Sequence, residues 1–307
     1  MTLPTSRLPI TGLHHVTSLA SDPQGNSDFF TKSLGLRRVK KTVNFDDPSV
    51  YHLYYGDAAG RPGSVMTYFP FPHIIRGRPG TGEVGETVFA IPKGSLGFWA
   101  ERLKGQISES FGERRLTFAG PDGEQFALVE TEDGREGWTG SVAPDHAVRG
   151  FRGATLRLAD AGATAELLKF MGYEQEGVDG DLTRFRIANG NGADLIDLQT
   201  LPGTQRARQG GGSVHHIAFS VPDCASQTEV RKALLDTGYQ VTPPIDRDYF
   251  WAIYFRTPGG VLFEIATAEP GFDRDEAFDH LGEGLKLPRQ HEPLRAQLQT
   301  HLQPIVD

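Results

Sequence analysis

"LHHVTSLASD" (13–22) and "VHHIAFSVPD" (214–223) decide the reading of this chain. Each places two adjacent histidines in an apolar run and closes on an acid, Asp22 or Asp223. The two pairs, His14–His15 and His215–His216, stand 201 residues apart and hold four of the ten histidines. A third stretch, "YFRTPGGVLFEIAT" (254–267), carries Glu264 in an apolar run 48 residues after His216. A carboxylate in such a run is costly to bury unless it is paired or metal-bound. Two imidazoles and one carboxylate form the ligand set of a facial triad with open metal positions, which points to a mononuclear metalloenzyme of the Fe(II) oxygenase kind. Without a thiolate the set also suits Mn(II) or Zn(II). Neighbouring side chains on a strand face opposite ways, so each pair offers one imidazole to a common centre. The spacing leaves open which one.

Working outward, both motifs open a repeated pattern. A helix is predicted over Asp22–Leu34, ended near Gly35, and another over Ala225–Asp236, ended near Gly238. "ADAGATAELLKFMGYEQEG" repeats the pattern with Gly172, and "IPKGSLGFWAERLKGQ" repeats it more weakly. In each copy glycine suits the left-handed position just past a helix end. Two or three short strands follow each helix, as in "VYHLYYGD" with "GSVMTYFPF" and "FWAIYFRT" with "GVLFEIAT". The fold class predicted is α+β, with four βαβββ units at about 12–75, 84–132, 150–200 and 213–268. Two units would fill an N-terminal half, 1–135, and two a C-terminal half, 150–268, with 269–307 as an extension bearing a helix near His291–His301. Residues 131–150 read as the connector, and the Gly-rich "LPGTQRARQGGGS" (201–213) as a linker into the fourth unit.

Units two and three serve as internal controls. Their first strands, "TVFAIP" and "GATLRLAD", carry no histidine. One metal per chain is therefore expected, and Glu130, which sits at a comparable place in unit two, is read as structural. His52, alternating with Tyr51 and Leu53, is read as structural too.

The composition narrows the function. At 307 residues, 38% hydrophobic and 23% charged, the chain can build an ample globular core. A net charge of −8 argues against nucleic acid as partner. No apolar run reaches the length of a membrane span, and the N-terminal "MTLPTSRLPITGLHH" lacks the apolar core of a secretion signal. The lone Cys224, read as a small residue at a helix start, fits a reducing cytoplasm. The aromatic "YFPFPHII" segment and exposed strand edges point to a homo-oligomer.

The βαβββ repeat with "LHHVT", "VHHIAF" and "RTPGGVLFE" resembles the vicinal oxygen chelate superfamily, which includes glyoxalases, bleomycin resistance proteins and extradiol dioxygenases. Within it the chain is similar to the dioxygenases that cleave hydroquinone rings. That likeness runs through "YHLYYGDAAGRPGSVMTYFPFP" (51–72), "AIPKGSLGFW" (90–99), "DRDYFWAIYFRTPGGVLFEIAT" (246–267) and "GFDRDEAFDHLGEGLKLP" (271–288). The resemblance implies that the second histidine of each pair binds iron, giving His15, His216 and Glu264 as ligands of Fe(2+), or alternatively Mn(2+). His14 and His215 would stand behind them, and Thr17, Arg247 and Tyr254 would surround a small aromatic substrate that reacts with O2. Strand geometry agrees in part. Thr17 shares a strand face with His15, and a hairpin across "RTPGG" would bring Tyr254 beside Glu264. His215 and Tyr254 are the candidates for proton transfer, and Arg247 for balancing charge or orienting a hydroxyl. Three alternatives share this pattern: a glyoxalase-type isomerase or lyase, a catechol extradiol dioxygenase, and a metal-free protein that sequesters aromatics. The glyoxalase type needs a fourth ligand, and "SVMTYFPF" in unit one offers no carboxylate.

Overall fold

The computed structural model describes residues 8–306; Met1–Arg7, part of the segment judged for a leader, and Asp307 lie outside the described residues. Four βαβββ units follow one another as the repeat predicts. The first comprises β1 (Leu13–Ala20), α1 (Pro23–Asp28, running on as a wider turn over Phe29–Ser33), β2 (Arg37–Val43), β3 (Tyr51–Gly56) and β4 (Val65–Pro70). The second comprises β5 (Glu83–Pro92), α2 (Leu96–Leu103), β6 (Gln106–Ser110), β7 (Glu113–Ala119) and β8 (Gln125–Thr131). The third comprises β9 (Phe151–Leu158), α3 (Gly162–Phe170), β10 (Tyr173–Asp179), β11 (Leu182–Ile187) and β12 (Leu195–Thr200). The fourth comprises β13 (Val214–Val221), α4 (Cys224–Asp236), β14 (Ile245–Asp246), β15 (Phe250–Arg256) and β16 (Leu262–Pro270). A last helix, α5 (Arg295–His301), lies where the extension was expected to carry one.

The local chemistry of the helices explains the repeat. Asp22 and Asp223 cap α1 and α4, their carboxylates accepting from backbone N–H groups of the first turn. Cys224 is the exposed first residue of α4. Gly35, Gly172 and Gly238 take positive φ just past their helices. In unit two the left-handed residue is Lys104, at φ 51°, rather than the glycine beside it.

The sheets draw one unit from either half of the sequence. Units one and four form one eight-stranded sheet, β14-β15-β16-β13-β1-β4-β3-β2, and units two and three form the other, β10-β11-β12-β9-β5-β8-β7-β6. The antiparallel pairs β1·β13 and β5·β9 join the units at each sheet centre. Residues 71–82, between β4 and β5, and residues 201–213, between β12 and β13, run side by side, with bridges Arg76–Gly211, Arg78–Arg208 and Thr81–Arg206. This arrangement brings the two His-His motifs, far apart in sequence, onto adjacent strands.

The extension wraps the first unit. Lys40 is fully buried and its ammonium donates to both Asp275 and Glu276 at 2.5 Å. Arg38 Nε donates to the Gly282 carbonyl at 2.9 Å, and His291 Nε2 donates to the Phe45 carbonyl at 2.9 Å. Among the described residues no helix is long and apolar enough to cross a membrane.

Candidate metal centre

His15, His216 and Glu264 converge from β1, β13 and β16. One ligand atom from each lies within 4.8 Å of the others, and all three residues are buried. His216 Nε2 and His15 Nε2 stand 2.9 and 3.3 Å from Glu264 Oε2, and 3.2 Å from each other. The register explains the meeting. Thr17 pairs with His216 across β1·β13, and Ala218 pairs with Glu264 across β13·β16, so the three side chains share one face. A bulge between Leu13 and His15 takes His14 out of the regular alternation.

These residues fit a cation. Glu264 is fully buried, yet neither carboxylate oxygen has a hydrogen-bond partner of good geometry. A buried, unpaired carboxylate costs several kcal/mol, which a divalent ion would offset. Burial opposes charge on Glu264, but the two imidazoles outweigh it and hold the carboxyl well below its ordinary range. Burial also holds His216 below the ordinary imidazole value. An ionised carboxylate beside neutral imidazole is the protonation state in which such a set binds metal.

The first histidine of each pair sets the tautomer of the second. His14 Nε2 lies 3.1 Å from the Thr267 carbonyl, which can only accept, so His14 carries its proton on Nε2. Burial, then the neighbouring His15, lowers the His14 pKa to about 3, so the ring is neutral and its Nδ1 accepts. The 2.9 Å contact between the Nδ1 atoms of His14 and His15 then requires His15 to donate from Nδ1. In that tautomer the neutral ring would present the His15 Nε2 lone pair to Glu264 and His216. His215 and His216 repeat the contact at 2.8 Å between Nδ1 atoms. Burial, with His216 beside it, lowers the His215 pKa to about 4. If His216 Nδ1 donates likewise, His215 keeps a proton on Nε2.

A cavity of about 380 Å³ opens onto His15 and His216, with Glu264 fully buried behind them. Its apolar wall includes Leu19, Phe45, Phe69, Phe71, Phe250 and Leu262. Its polar side chains include His215, Arg247, Tyr254, Asn44, Asp46, His52 and Tyr54. Tyr254 stands opposite Glu264 across β15·β16. Burial, then Glu264, pushes the Tyr254 phenol well above its ordinary range, so it keeps its proton. Arg247 Nε donates to Tyr254 Oη at 3.3 Å and Arg247 Nη2 to Asp46 at 3.3 Å, with its guanidinium 5.6 Å from the rings of Phe45 and Tyr254.

Of the residues singled out in sequence, His215, Arg247 and Tyr254 thus line the cavity. His14 and Thr17 do not. His14 faces the Thr267 carbonyl, and Thr17 is fully buried against Thr67, with hydroxyl oxygens 2.8 Å apart. His52, read as structural, lines the cavity together with Tyr54. Alternation along β3 should have exposed the pair, since residues two apart share a face. Asp46 and Phe45 gave no sequence signal, because they come from a loop.

The register also locates the counterparts of each site residue. Thr67 pairs with Thr17 and Tyr54 as Glu264 pairs with Ala218 and Tyr254, so Thr67 occupies the position where unit one would supply a fourth ligand. In the second sheet Glu86 pairs with Thr155 as His15 pairs with Ala218, and Val88 pairs with Gly153 as Thr17 pairs with His216. Asp197 pairs with Thr155 and Arg184, matching Glu264. Glu86, Gly153, Asp197 and Arg184 therefore stand where His15, His216, Glu264 and Tyr254 stand in the first sheet. Arginines neutralise the two carboxylates: Arg115 pairs with Glu86, and Arg184 donates to Asp197 at 2.8 and 2.9 Å. The counterpart of Glu264 in unit two is Ala127 by the same register, not Glu130. Glu130 accepts from the Leu96 N–H at 2.9 Å, at the start of α2.

Residues 91–265 match the Glyoxalase/Bleomycin resistance protein/Dioxygenase superfamily. Over 301 residues the chain is 46% identical to a Bacillus subtilis (strain 168) protein named "Putative ring-cleaving dioxygenase MhqO", covering 95% of this chain and 96% of that one. It is 36% identical over 319 residues to the chlorohydroquinone/hydroquinone 1,2-dioxygenase of Sphingobium indicum, covering 97% of this chain and 98% of the other. A crystal structure titled "putative dioxygenase" from Bacillus subtilis superposes with a TM-score of 0.95 at 44% identity, covering 98% of this chain and 99% of that one.

Proposed function

This chain belongs to the Glyoxalase/Bleomycin resistance protein/Dioxygenase superfamily, and from that premise we propose that it is an Fe(II)-dependent dioxygenase that opens the ring of hydroquinone-type aromatics with O2. The observation that carries the reading is the convergence of His15, His216 and Glu264 at a cavity walled largely by aromatic and aliphatic side chains. Two histidines and a carboxylate with open positions suit a non-haem Fe(II) oxygenase, with Mn(II) as the second choice. Held by these three side chains, the ion would supply open coordination positions for the substrate oxygen and O2 and a redox-active link between them.

The chain's own residues then divide the remaining work. His14 and the Thr267 carbonyl fix His15 in the ligating tautomer. Arg247 balances negative charge on a substrate hydroxyl that has lost its proton. Tyr254, protonated at neutral pH, donates a hydrogen bond to oxygen as charge builds there, and His215 presents its Nε2 to the same space. Thr17 buttresses Thr67 and does not touch substrate. The aromatic wall excludes water and holds the ring flat. The reaction balances without a reductant: the C–C bond between a hydroxylated carbon and its neighbour breaks, both atoms of O2 enter, and a semialdehyde acid forms.

Thr67 at the fourth-ligand position weighs against a glyoxalase-type isomerase, which would need a carboxylate or equivalent there. The exposed free Cys224 supports a reducing, cytoplasmic setting, and Ile75, 73% exposed beside the "FPHII" aromatics, supports a homo-oligomer. The test is O2 uptake by the Fe(II)-loaded protein with methylhydroquinone and with catechol. Rapid uptake with the former and a new semialdehyde absorbance supports the reading. Preference for catechol would move the assignment to an extradiol enzyme.

A further inference from the structure

The cavity wall also holds a pair of polar side chains, Tyr54 and His52, with no part in the scheme above. Tyr54 Oη lies 2.7 Å from His52 Nδ1, and His52 Nε2 lies 2.9 Å from Thr67 Oγ1, which in turn meets Thr17. Both residues are buried, and both line the cavity. Tyr54 is held from behind by Phe272, with ring centroids 5.1 Å apart, and His52 packs on Phe69 at 4.3 Å. Burial, with His15, His216 and Arg247 nearby, holds His52 well below its ordinary value, so its ring is neutral and has one N–H.

A neutral His52 leaves two arrangements. Tyr54 can donate to Nδ1 and keep an acceptor lone pair, or accept from Nδ1–H and keep its own hydrogen. Either way Tyr54 Oη retains unused hydrogen-bonding capacity, because among the described residues His52 is its only hydrogen-bond partner. An unfilled polar atom inside an aromatic wall points to a polar group on whatever fills the cavity. The repeat strengthens this. Tyr54 pairs with Thr67 as Tyr254 pairs with Glu264, so the two tyrosines occupy equivalent places in units one and four. Their strands lie on either side of the strands that carry the metal ligands.

We propose that Tyr54, positioned by His52, is a specificity-determining residue that takes the substrate hydroxyl remote from the metal ligands. The inference rests on the hydroquinone reading. A para-dihydroxy ring presents its oxygens at opposite ends. With one at His15, His216 and Glu264, the other meets the Tyr54 wall. An ortho-dihydroxy ring keeps both oxygens at the metal end and leaves the second hydrogen-bonding position of Tyr54 Oη unfilled, which disfavours that substrate.

The test is anaerobic equilibrium binding of hydroquinone and of phenol to the metal-loaded full-length protein, wild type against Tyr54→Phe, with metal content measured alongside. Tyr54→Phe removes one oxygen atom and should keep the metal. The expected result is hydroquinone affinity weakened about tenfold with phenol affinity unchanged. His52→Gln, which frees Tyr54 from its tether, should narrow the hydroquinone-over-phenol ratio in the same direction. Unchanged hydroquinone affinity in Tyr54→Phe, or equal weakening of both ligands, overturns the proposal. If the wild type binds hydroquinone no better than phenol, the hydroquinone reading itself fails, and this inference with it.

Discussion

Tyr254 lies directly opposite Glu264 on antiparallel β15 and β16, so a phenol that lines the cavity stands beside the buried carboxylate of the metal site. The phenol's proton is retained because burial and the adjacent carboxylate both disfavour its loss. Tyr254→Phe should therefore keep the metal, since the ring still packs edge-on to His216, and lose turnover by about 10² to 10⁴-fold. Metal analysis together with steady-state kcat separates the two effects. A variant with wild-type kcat would remove Tyr254 from the chemistry.

His14 reaches the metal ligands only through a tautomer. Its Nε2 donates to the Thr267 carbonyl, and its Nδ1 accepts a hydrogen bond from His15 Nδ1. His14→Ala should weaken metal binding by about 10 to 100-fold while leaving the ligand set intact. His216→Ala, which removes a ligand, should abolish retention. A metal titration monitored by competition with a chelator distinguishes the graded loss from the complete one.

How much of this was legible in the sequence depends on which interactions are local. The helix caps Asp22 and Asp223, the glycines after the helices and the His-His strands are local, and the four-unit fold follows from them. The choice of His15 over His14 is not local. A strand bulge and a carbonyl 253 residues away decide it. Alternation puts His52 and Tyr54 on one face of β3, but that this face turns toward the cavity depends on the sheet, where His52 meets Thr67 of another strand. The pairing of unit one with unit four was likewise hidden, because chain order suggests that neighbouring units associate.

The second sheet tests the claim that its equivalent position is a charge-locked replica. Arg184 is buried between Asp197 and Glu113. Arg184→Leu should destabilise the protein by about 3–5 kcal/mol, because a buried carboxylate loses its partner, with metal content unchanged. The pH dependence has a definite sign. Burial pushes the Glu113 carboxyl up, but Arg184 and Arg152 outweigh burial and leave it below its ordinary value. A lowered carboxyl adds stability above its unfolded pKa and loses that contribution as pH falls through the folded one. The gap between wild type and variant in urea midpoint should therefore narrow below about pH 4.

Lys40 ties the extension to the first unit. With its ammonium fully buried against Asp275 and Glu276, Lys40→Met should cost about 3 kcal/mol and loosen residues 271–307. Because His291 also holds the Phe45 carbonyl at the cavity mouth, KM for hydroquinone should rise more than kcat falls. Limited proteolysis should cut the variant within the extension first. A variant with unchanged KM and proteolytic pattern would separate the extension from the cavity.

The central claim is that both atoms of O2 enter the ring of a hydroquinone at the site formed by His15, His216 and Glu264. The direct measurement is mass spectrometry of the product formed from hydroquinone under ¹⁸O₂ by the Fe(II)-loaded protein. The account predicts a ring-opened semialdehyde acid carrying two labelled oxygens, with one O2 consumed per substrate, and no such product from Glu264→Gln. Benzoquinone with unlabelled oxygen, or a ring-opened product undiminished in Glu264→Gln, would contradict it.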